Sequence, residues 1–578
     1  MSPLILQRSP TFCPVRTLAS SARSSPHSAI FNAHRLTRIG FVSGAVFVSS
    51  LFYGNTQPTV HADAEPAKES DNVYERPRTP LSTLVRTYIV YGMCSIPPLI
   101  DYSSAILATL LSIPGIKQIT EVVVRVTFFN QFVGGETAEE VIPLLEQMRS
   151  DNKGCLFAYS VEVDEEEAAG DVREDIKPAE SAHKQIVAET IHCVDVAADF
   201  EDKHANGISG RRTWVAVKLA SALSESLLNL SKHLVATRPL TSPHVAFPGC
   251  PLPTDLDVLD AQAPLGPLTP GDVAALRELR ADLHAICSRA KERGVRIIID
   301  AEYRYPAVDA LCLDLMREFN KLPQPSKKSR SSWFGSSAVP TASPVQPAVQ
   351  PLIYNTYQAY LRRTPEYLVQ SIAAARAGGY ALGVKLVRGA YHPHEISAHT
   401  AAETPSSTEH SHSLSISPEA FPPVWLTKPE TDACFNSCTT QLIDHIRADV
   451  SAHRAGTLTI GVLLGTHNQE STNLVLCELV KQGLASEEAG VVRIPDEVAE
   501  RISLGQLYGM HDSLTNHLVD RTRCSSPFVL KYIPYGNISD VMPYLSRRAI
   551  ENKSVLGNGV AAIERQRAAT EIWDRFFG

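Results

Sequence analysis

Arg296-Ile297-Ile298-Ile299-Asp300 follows directly on a long amphipathic stretch, residues 272–293. The run is short, β-branched and apolar between its two charged ends, as a strand buried on both faces would be. The stretch before it has the length and period of a helix. This alternation recurs along the chain. Strand-like runs stand at 155–159, 214–218, 352–355, 383–387, 458–464, 502–507 and 529–532, with helical stretches such as 365–377 and 432–452 between them. Repeated strand–helix units imply parallel strands, and eight units predict an α/β protein built on a (β/α)8 barrel. A doubly wound open sheet is the structural rival.

In a barrel the C-terminal strand ends meet at one mouth, where such folds place their chemistry. The residues there are informative: Lys218, Asp300 followed by Ala301-Glu302, Gln358, Arg388-Gly389-Ala390-Tyr391, Thr466-His467-Asn468, Leu507 and Tyr532. Each alone has a bland explanation, since a lone Lys at a strand end is usually surface and a lone His a satisfied polar group. A candidate at each of seven successive strand ends points to a site. Beyond the eighth run, Tyr544, Arg547, Arg548 and Glu551 fall at i, i+3, i+4 and i+7 and share one helical stripe, with Leu545 and Ala549 free to pack elsewhere. Two guanidinium forks beside a phenol and a carboxylate suit a small carboxylate anion. The same spacing equally describes a solvated helix face with an ion pair.

The chain has 578 residues, 44% of them hydrophobic, ample for a large core, and its net charge of −8 argues against a general nucleic-acid surface. Eleven cysteines are scattered without a Cys-x-x-Cys pair, so reduced thiols are the default. No Gly-x-Gly-x-x-Gly or Walker-type loop occurs, which disfavours a Rossmann-bound dinucleotide but leaves a flavin at a barrel mouth open. The first sixty or so residues are Arg- and Ser-rich with no acidic residue before Asp63, the composition of a mitochondrial transit peptide. An apolar stretch at 39–53 is short for a membrane span and would be a marginal anchor or a sorting signal. Residues 80–150 read as helical. Residues 162–180 (acidic), 323–351 (Ser, Pro and Lys) and 397–423 (Ser, Thr, His and Pro) read as disordered loop insertions. His392, His394, His399, His410 and His412 cluster near the last, without metal-ligand spacing, and read as a solvated loop.

Several of these segments carry a family resemblance. Ile299-Asp300-Ala301-Glu302, Pro351-Leu352-Ile353-Tyr354-Asn355-Thr356-Tyr357-Gln358-Ala359-Tyr360-Leu361, and Lys385-Leu386-Val387-Arg388-Gly389-Ala390-Tyr391 are three of them. Thr466-His467-Asn468, Gly505-Gln506-Leu507-Tyr508-Gly509-Met510, Lys531-Tyr532-Ile533-Pro534-Tyr535-Gly536 and Tyr544-Leu545-Ser546-Arg547-Arg548-Ala549-Ile550-Glu551-Asn552 follow in order. Together they resemble the mitochondrial proline dehydrogenase (proline oxidase) family, in particular its fungal members, over residues 120–560. The resemblance implies a distorted (β/α)8 barrel carrying FAD. Its members oxidise L-proline to Δ1-pyrroline-5-carboxylate by hydride transfer to flavin N5 and pass electrons to ubiquinone at the matrix face of the inner mitochondrial membrane. Arg547 and Arg548 would hold the proline carboxylate, with Lys218 as a third cation. Tyr391, Leu507, Tyr532 and Tyr544 would wall the ring, and Asp300 would support the site. Ala301, Gln358, Lys385 and Val387 would line the flavin from the strand ends. Gly389 and Ala390 would let it approach the backbone, and Thr427, Lys428, Thr431, His467, Asn468 and Glu551 would complete its surroundings. The implied layout is a targeting segment at 1–70, a helical arm at 71–150, the barrel at 151–560 and a helical tail at 561–578. The rival readings are a hydroxyproline dehydrogenase, another flavin barrel of the methylenetetrahydrofolate reductase kind, and a non-catalytic homologue with a binding role.

Overall fold

Eight parallel strands close on themselves: β1 (Gly154–Tyr159), β2 (Thr213–Val217), β3 (Ile297–Ile299), β4 (Ile353–Gln358), β5 (Leu382–Val387), β6 (Ile460–Gly465), β7 (Ile502–Leu507) and β8 (Val529–Tyr535). Each pairs with its successor, and β8 returns to β1 in a register running from Gly154 opposite Leu530 to Tyr159 opposite Tyr535. The sheet is therefore a closed barrel, not the doubly wound rival. The structure, a computed structural model, describes residues 78–160, 179–205, 207–238, 245–261, 266–301, 305–323, 350–403, 417, 419–452, 458–555 and 560–577. The Arg-rich N-terminal segment, its apolar stretch and most of the three insertions lie outside them.

Strand parity sorts the side chains into two cores. Residues such as Ile297, Ile299, Val384 and Leu386 pack under the surrounding helices. Leu156, Trp214, Ile298, Tyr354, Leu463 and Leu530 fill the lumen. Because successive side chains alternate faces, lumen parity extends upward to Ser160, Lys218, Asp300, Lys385, Leu507 and Tyr532. The lower end is sealed by charge. Arg212 is fully buried and donates to the carbonyls of Pro527 and Ala499, both at 3.0 Å. Arg296 stacks 5.0 Å from the Trp214 ring. Glu500 lies between the two guanidinium groups, 3.2 Å from Arg212 and 2.8 Å from Arg296.

The helices start and stop where local chemistry directs. Thr269 caps Pro270–Arg293 in a reciprocal box with Asp272, proline occupies the first turn, and Gly294 ends the helix in the left-handed conformation. Thr427 and Glu430 cap Lys428–Ser451 in the same way. The departure from an ideal barrel is at the eighth position. The helix after β8, Met542–Val555, does not cover the flank of β8. That flank is taken by the segment before β1: Gly134 donates to the carbonyl of Pro534 at 2.8 Å, Gly536 to that of Gly135 at 3.1 Å, and helix Ala138–Ser150 packs on β1. Met542–Val555 turns over the barrel mouth, backed by the helix Leu81–Cys94, which also packs along the final helix Val560–Phe577.

Two sequence expectations change. A small sheet of Ser486–Glu488, Val491–Arg493 and Thr522–Arg523 was not foreseen, since runs this short and charged carry no strand signal. The ends of the predicted insertion at 397–423 are ordered. Helix His392–Glu403 runs into it, His399 is buried and bonded to the carbonyl of Glu419 at 3.0 Å, and the Glu419 carboxylate pairs with Arg362 at 2.9 Å. His392 contacts the carbonyl of Trp425 at 2.6 Å, so neither histidine belongs to a solvated loop. His410 and His412 lie outside the described residues.

Burial alone would raise the Glu500 carboxyl, but Arg296 and Arg212 outweigh it and hold its pKa at about 2. A depressed carboxylate stabilises the fold fully above its unfolded value and loses that contribution as pH falls toward the folded one. Glu500→Gln strands two buried guanidinium groups and is expected to cost about 3–5 kcal/mol at pH 7. The deficit relative to the parent should shrink as pH falls from 4.5 to about 2, which denaturant titrations across that window would measure. Equal stability at pH 7 would rule out this sealing role.

Candidate active site

Asp300 organises the mouth. Placed just beyond β3, its carboxylate receives the Lys385 ammonium from β5 on one oxygen and the Tyr532 hydroxyl from β8 on the other, the latter at 3.1 Å. The Lys385 ammonium also lies 5.6 Å from the centre of the Tyr532 ring. One carboxylate thus fixes two side chains from strands on different sides of the barrel. Beside them, Lys218 donates to the Ser160 hydroxyl at 3.1 Å. Ser160, directly after β1, supplies the strand end for which the sequence had offered no candidate. The lumen parity of Leu156 and Ala158 was the available signal.

The helix Met542–Val555 completes the mouth from above. The predicted stripe is real, and Leu545 and Ala549 pack into the core shared with the N-terminal helices. Tyr544 is buried, with its ring 5.9 Å from the Lys218 ammonium and 4.8 Å from the Arg548 guanidinium. Arg547 reaches the Tyr391 hydroxyl at 3.3 Å, beyond β5. Glu551 pairs with Arg548 at 2.6 Å, so one carboxylate orients one of the two forks. Leu507 contacts both the lumen cluster and the cluster containing Tyr544. Lys218, Arg547 and Arg548 therefore converge with Tyr391, Leu507, Tyr532 and Tyr544 from five elements of the fold.

His467 and Asn468 follow β6. The His467 Nε2 accepts the backbone N–H of Leu507 at 3.0 Å, so the proton sits on Nδ1, which is closed to solvent and has no hydrogen-bond partner among the described residues. Burial, then the charge of Lys531, holds this imidazole well below its usual range, so it is neutral. Asn468 caps the helix Gln469–Lys481 by accepting from Ser471 N–H at 2.9 Å. Ala301, Gln358 and Val387 lie at the ends of β3, β4 and β5. Thr427, Lys428 and Thr431 stand one layer out, at the start of Lys428–Ser451. Lys428 pairs with Asp432 at 2.5 Å, and Asp432 in turn holds Arg388 at 2.6 Å. Arg388 also donates to Thr466 and Ser471, at 2.7 and 2.8 Å, tying the ends of β5 and β6 together. Gly389 has a further constraint besides the one expected. Its φ is +113°, and a Cβ there would meet the Tyr360 ring at 2.0 Å. The missing side chain makes room for a neighbouring tyrosine, while Ala390 is exposed.

A closed parallel barrel whose mouth gathers four cations, Lys218, Lys385, Arg547 and Arg548, and an aromatic wall has the form of a barrel enzyme. Residues 152–559 match the family model described as proline dehydrogenase, and the chain belongs to that family, which makes it an oxidoreductase. It is similar to hydroxyproline dehydrogenase of Rattus norvegicus at 26% identity, over 91% of this chain and 98% of the relative. It is similar to mitochondrial proline dehydrogenase 1 of Caenorhabditis elegans, also at 26% identity, over 89% and 92%. Among solved structures, proline utilization A (PutA) from Bdellovibrio bacteriovorus aligns with a TM-score of 0.49 at 17% identity, over 82% of this chain and only 37% of that one.

Asp300→Asn keeps the shape but removes the charge that anchors Lys385. It is expected to lower kcat/KM by about 10–100-fold, and to lower Tm as well, since the nearly buried Lys385 ammonium loses its counter-charge. An unchanged kcat/KM would take Asp300 out of the site.

Proposed function

We propose that this chain oxidises L-proline to Δ1-pyrroline-5-carboxylate with a bound FAD and delivers the electrons to a membrane quinone. The observation that carries the reading is the set of cations around Tyr544: Lys218 and Arg548 flank its ring, and Arg547 stands one turn away on the same helix. Proline offers one permanent anion, and a carboxylate held by two forks and an ammonium orients the ring carbon that must react. The same positive field disfavours the protonated form of the proline nitrogen, leaving the lone pair that assists loss of hydride from the adjacent carbon. Leu507, Tyr532 and Tyr544 supply an apolar wall that fits a five-membered ring and keeps water from it.

The residues present fit a flavin. The Nδ1–H of His467 is a buried donor that no group accepts among the described residues, and Lys385 brings a cation to the same mouth. An acceptor-rich ring that becomes anionic on reduction uses both. Ala301, Gln358, Val387, Gly389, Ala390, Asn468 and Glu551 would surround it, with Thr427, Lys428 and Thr431 further out. When bound, the flavin supplies a two-electron hydride acceptor that a quinone can reoxidise. Glu551 has a second duty in this reading, holding Arg548 in line for the substrate.

Oxidation of hydroxyproline is the second reading, supported by relatives of that name. Tyr532 favours unsubstituted proline, because its phenol is held at the wall by Asp300 and leaves little room for a ring hydroxyl. Residues 1–70 would address the chain to the mitochondrion, as the names of several relatives state for those proteins. Residues 71–150 would form an arm and 561–578 a tail on the barrel of 151–560. Attachment to the matrix face of the inner membrane would be peripheral for the described part, in which no helix is long and apolar enough to cross a bilayer. More than half of its exposed large apolar side chains lie between Leu81 and Val126, including Tyr102 and Ile119, each 66% exposed. A surface of that kind marks contact with lipid or protein.

Anaerobic L-proline should bleach the flavin absorbance of the purified protein, and a flavin-loaded protein that never bleaches would end the proposal. Arg547→Ala and Arg548→Ala should each raise KM for proline by about tenfold or more. In the same assay Tyr532→Ser should raise the relative kcat/KM for hydroxyproline, and an unaltered ratio would remove Tyr532 from substrate choice. The protein should float with anionic liposomes, and Ile119→Glu should weaken flotation. Equal flotation of the two would refute the arm as the lipid-facing surface.

A further inference from the structure

Leu507 opens a loop that is tied down at every residue through His511. Leu507 N–H bonds His467, Tyr508 N–H bonds the carbonyl of Tyr532 at 3.0 Å, the Met510 carbonyl accepts from Lys531 at 3.0 Å, and His511 donates to the carbonyl of His467 at 3.1 Å. The central tie comes from outside the barrel. The Gly509 carbonyl accepts two hydrogen bonds from the N-terminal helices, from the Tyr91 hydroxyl at 3.0 Å and from the Gln131 amide at 2.9 Å. Tyr91 and Gln131 are buried, at 1% and 3% exposure. The remaining oxygen of the Gln131 amide accepts from Thr87 at 3.3 Å and Arg86 at 3.4 Å, which fixes the amide's orientation. Gly509 has φ +69°, and a Cβ there would lie 1.8 Å from the Gln131 carbonyl, so the two backbones meet as closely as glycine permits. Gln131 is presented by the short helix Asn130–Phe132 directly after the π-helical turn Arg125–Phe129.

We infer that Gln131 and Tyr91 are positioning residues for the substrate: through the Gly509 carbonyl the N-terminal helices set where Leu507 stands at the barrel mouth, and thereby shape the proline pocket. The inference rests on the proline-site reading above. Its physical content is that the pocket wall is not held by the barrel alone. Leu507 lies two residues from Gly509 and packs against both the lumen cluster and the core of the N-terminal helices, so a displaced carbonyl moves the side chain in contact with both. Losing both donors leaves a buried carbonyl unsatisfied and gives the loop a reason to move.

The test uses the full chain and the double variant Tyr91→Phe with Gln131→Met, which keeps volume and removes both donors. KM for proline should rise about tenfold with kcat within about twofold, the split expected when positioning and not chemistry is lost. Amide hydrogen exchange across 507–511 should accelerate. Glu146→Gln, on the exposed face of helix Ala138–Ser150 in the same N-terminal region, should leave KM and exchange at their original values. Should the double variant not fold, Tyr91→Phe alone removes a single hydroxyl and should give a smaller shift of the same kind. Faster exchange with unchanged KM would overturn the positioning role, as would a fall in kcat with KM constant. Unchanged exchange would overturn the latch itself. A parent protein that does not oxidise proline would defeat the proposed function while the exchange measurement still decides the latch.

Discussion

Everything at the mouth depends on the pairing of β1 with β8. Until Gly154 lies opposite Leu530, the chain has strand ends scattered along several hundred residues. Once the barrel closes, those ends become neighbours on one ring. Asp300 can then hold Lys385 and Tyr532 at once, and Lys218 can find Ser160. None of these pairs is local in sequence. Each draws its geometry from a backbone ladder that has nothing to do with the chemistry it serves.

The two ends of the barrel use charge in opposite ways. At the lower end Arg212 and Arg296 are enclosed around one shared carboxylate, Glu500, and serve the fold. At the upper end Lys218 and Arg547 are partly exposed, and Arg548 is buried with a carboxylate on one face of its fork. A site proposed to accept an anion from solvent needs positive charge near water, and Lys218 and Arg547 keep it there.

Much of this was legible because the barrel imposes a regular code. Ile297, Ile298 and Ile299 announce a doubly buried strand, and the residue just past it must lie at the mouth, which is why Asp300 could be singled out. The stripe from Tyr544 to Glu551 could be read for the same reason, since helical spacing is a local property. What escaped notice depended on partners distant in sequence. Ser160 gains meaning only once Lys218 is opposite it. Gly389 carries a constraint its own segment does not show, because the Tyr360 ring occupies the space where a side chain would stand. The ties of Gly509 to Tyr91 and Gln131 join segments 418 and 378 residues apart, and no pattern in either segment signals the other.

The substitution at the eighth flank separates two kinds of completeness. Ala138–Ser150, which lies before the first strand, does the structural work that the helix after β8 would do in an ideal barrel. Met542–Val555 is thereby released from holding the barrel together and lies across its opening, where it carries Tyr544, Arg547, Arg548 and Glu551. During synthesis, then, the barrel acquires every piece it needs to close before the residues proposed to grip the substrate have been made. Outside buried positions such as Leu545 and Ala549, this helix can change with little cost to the strands beneath it, which leaves the mouth open to change over a barrel that itself stays the same.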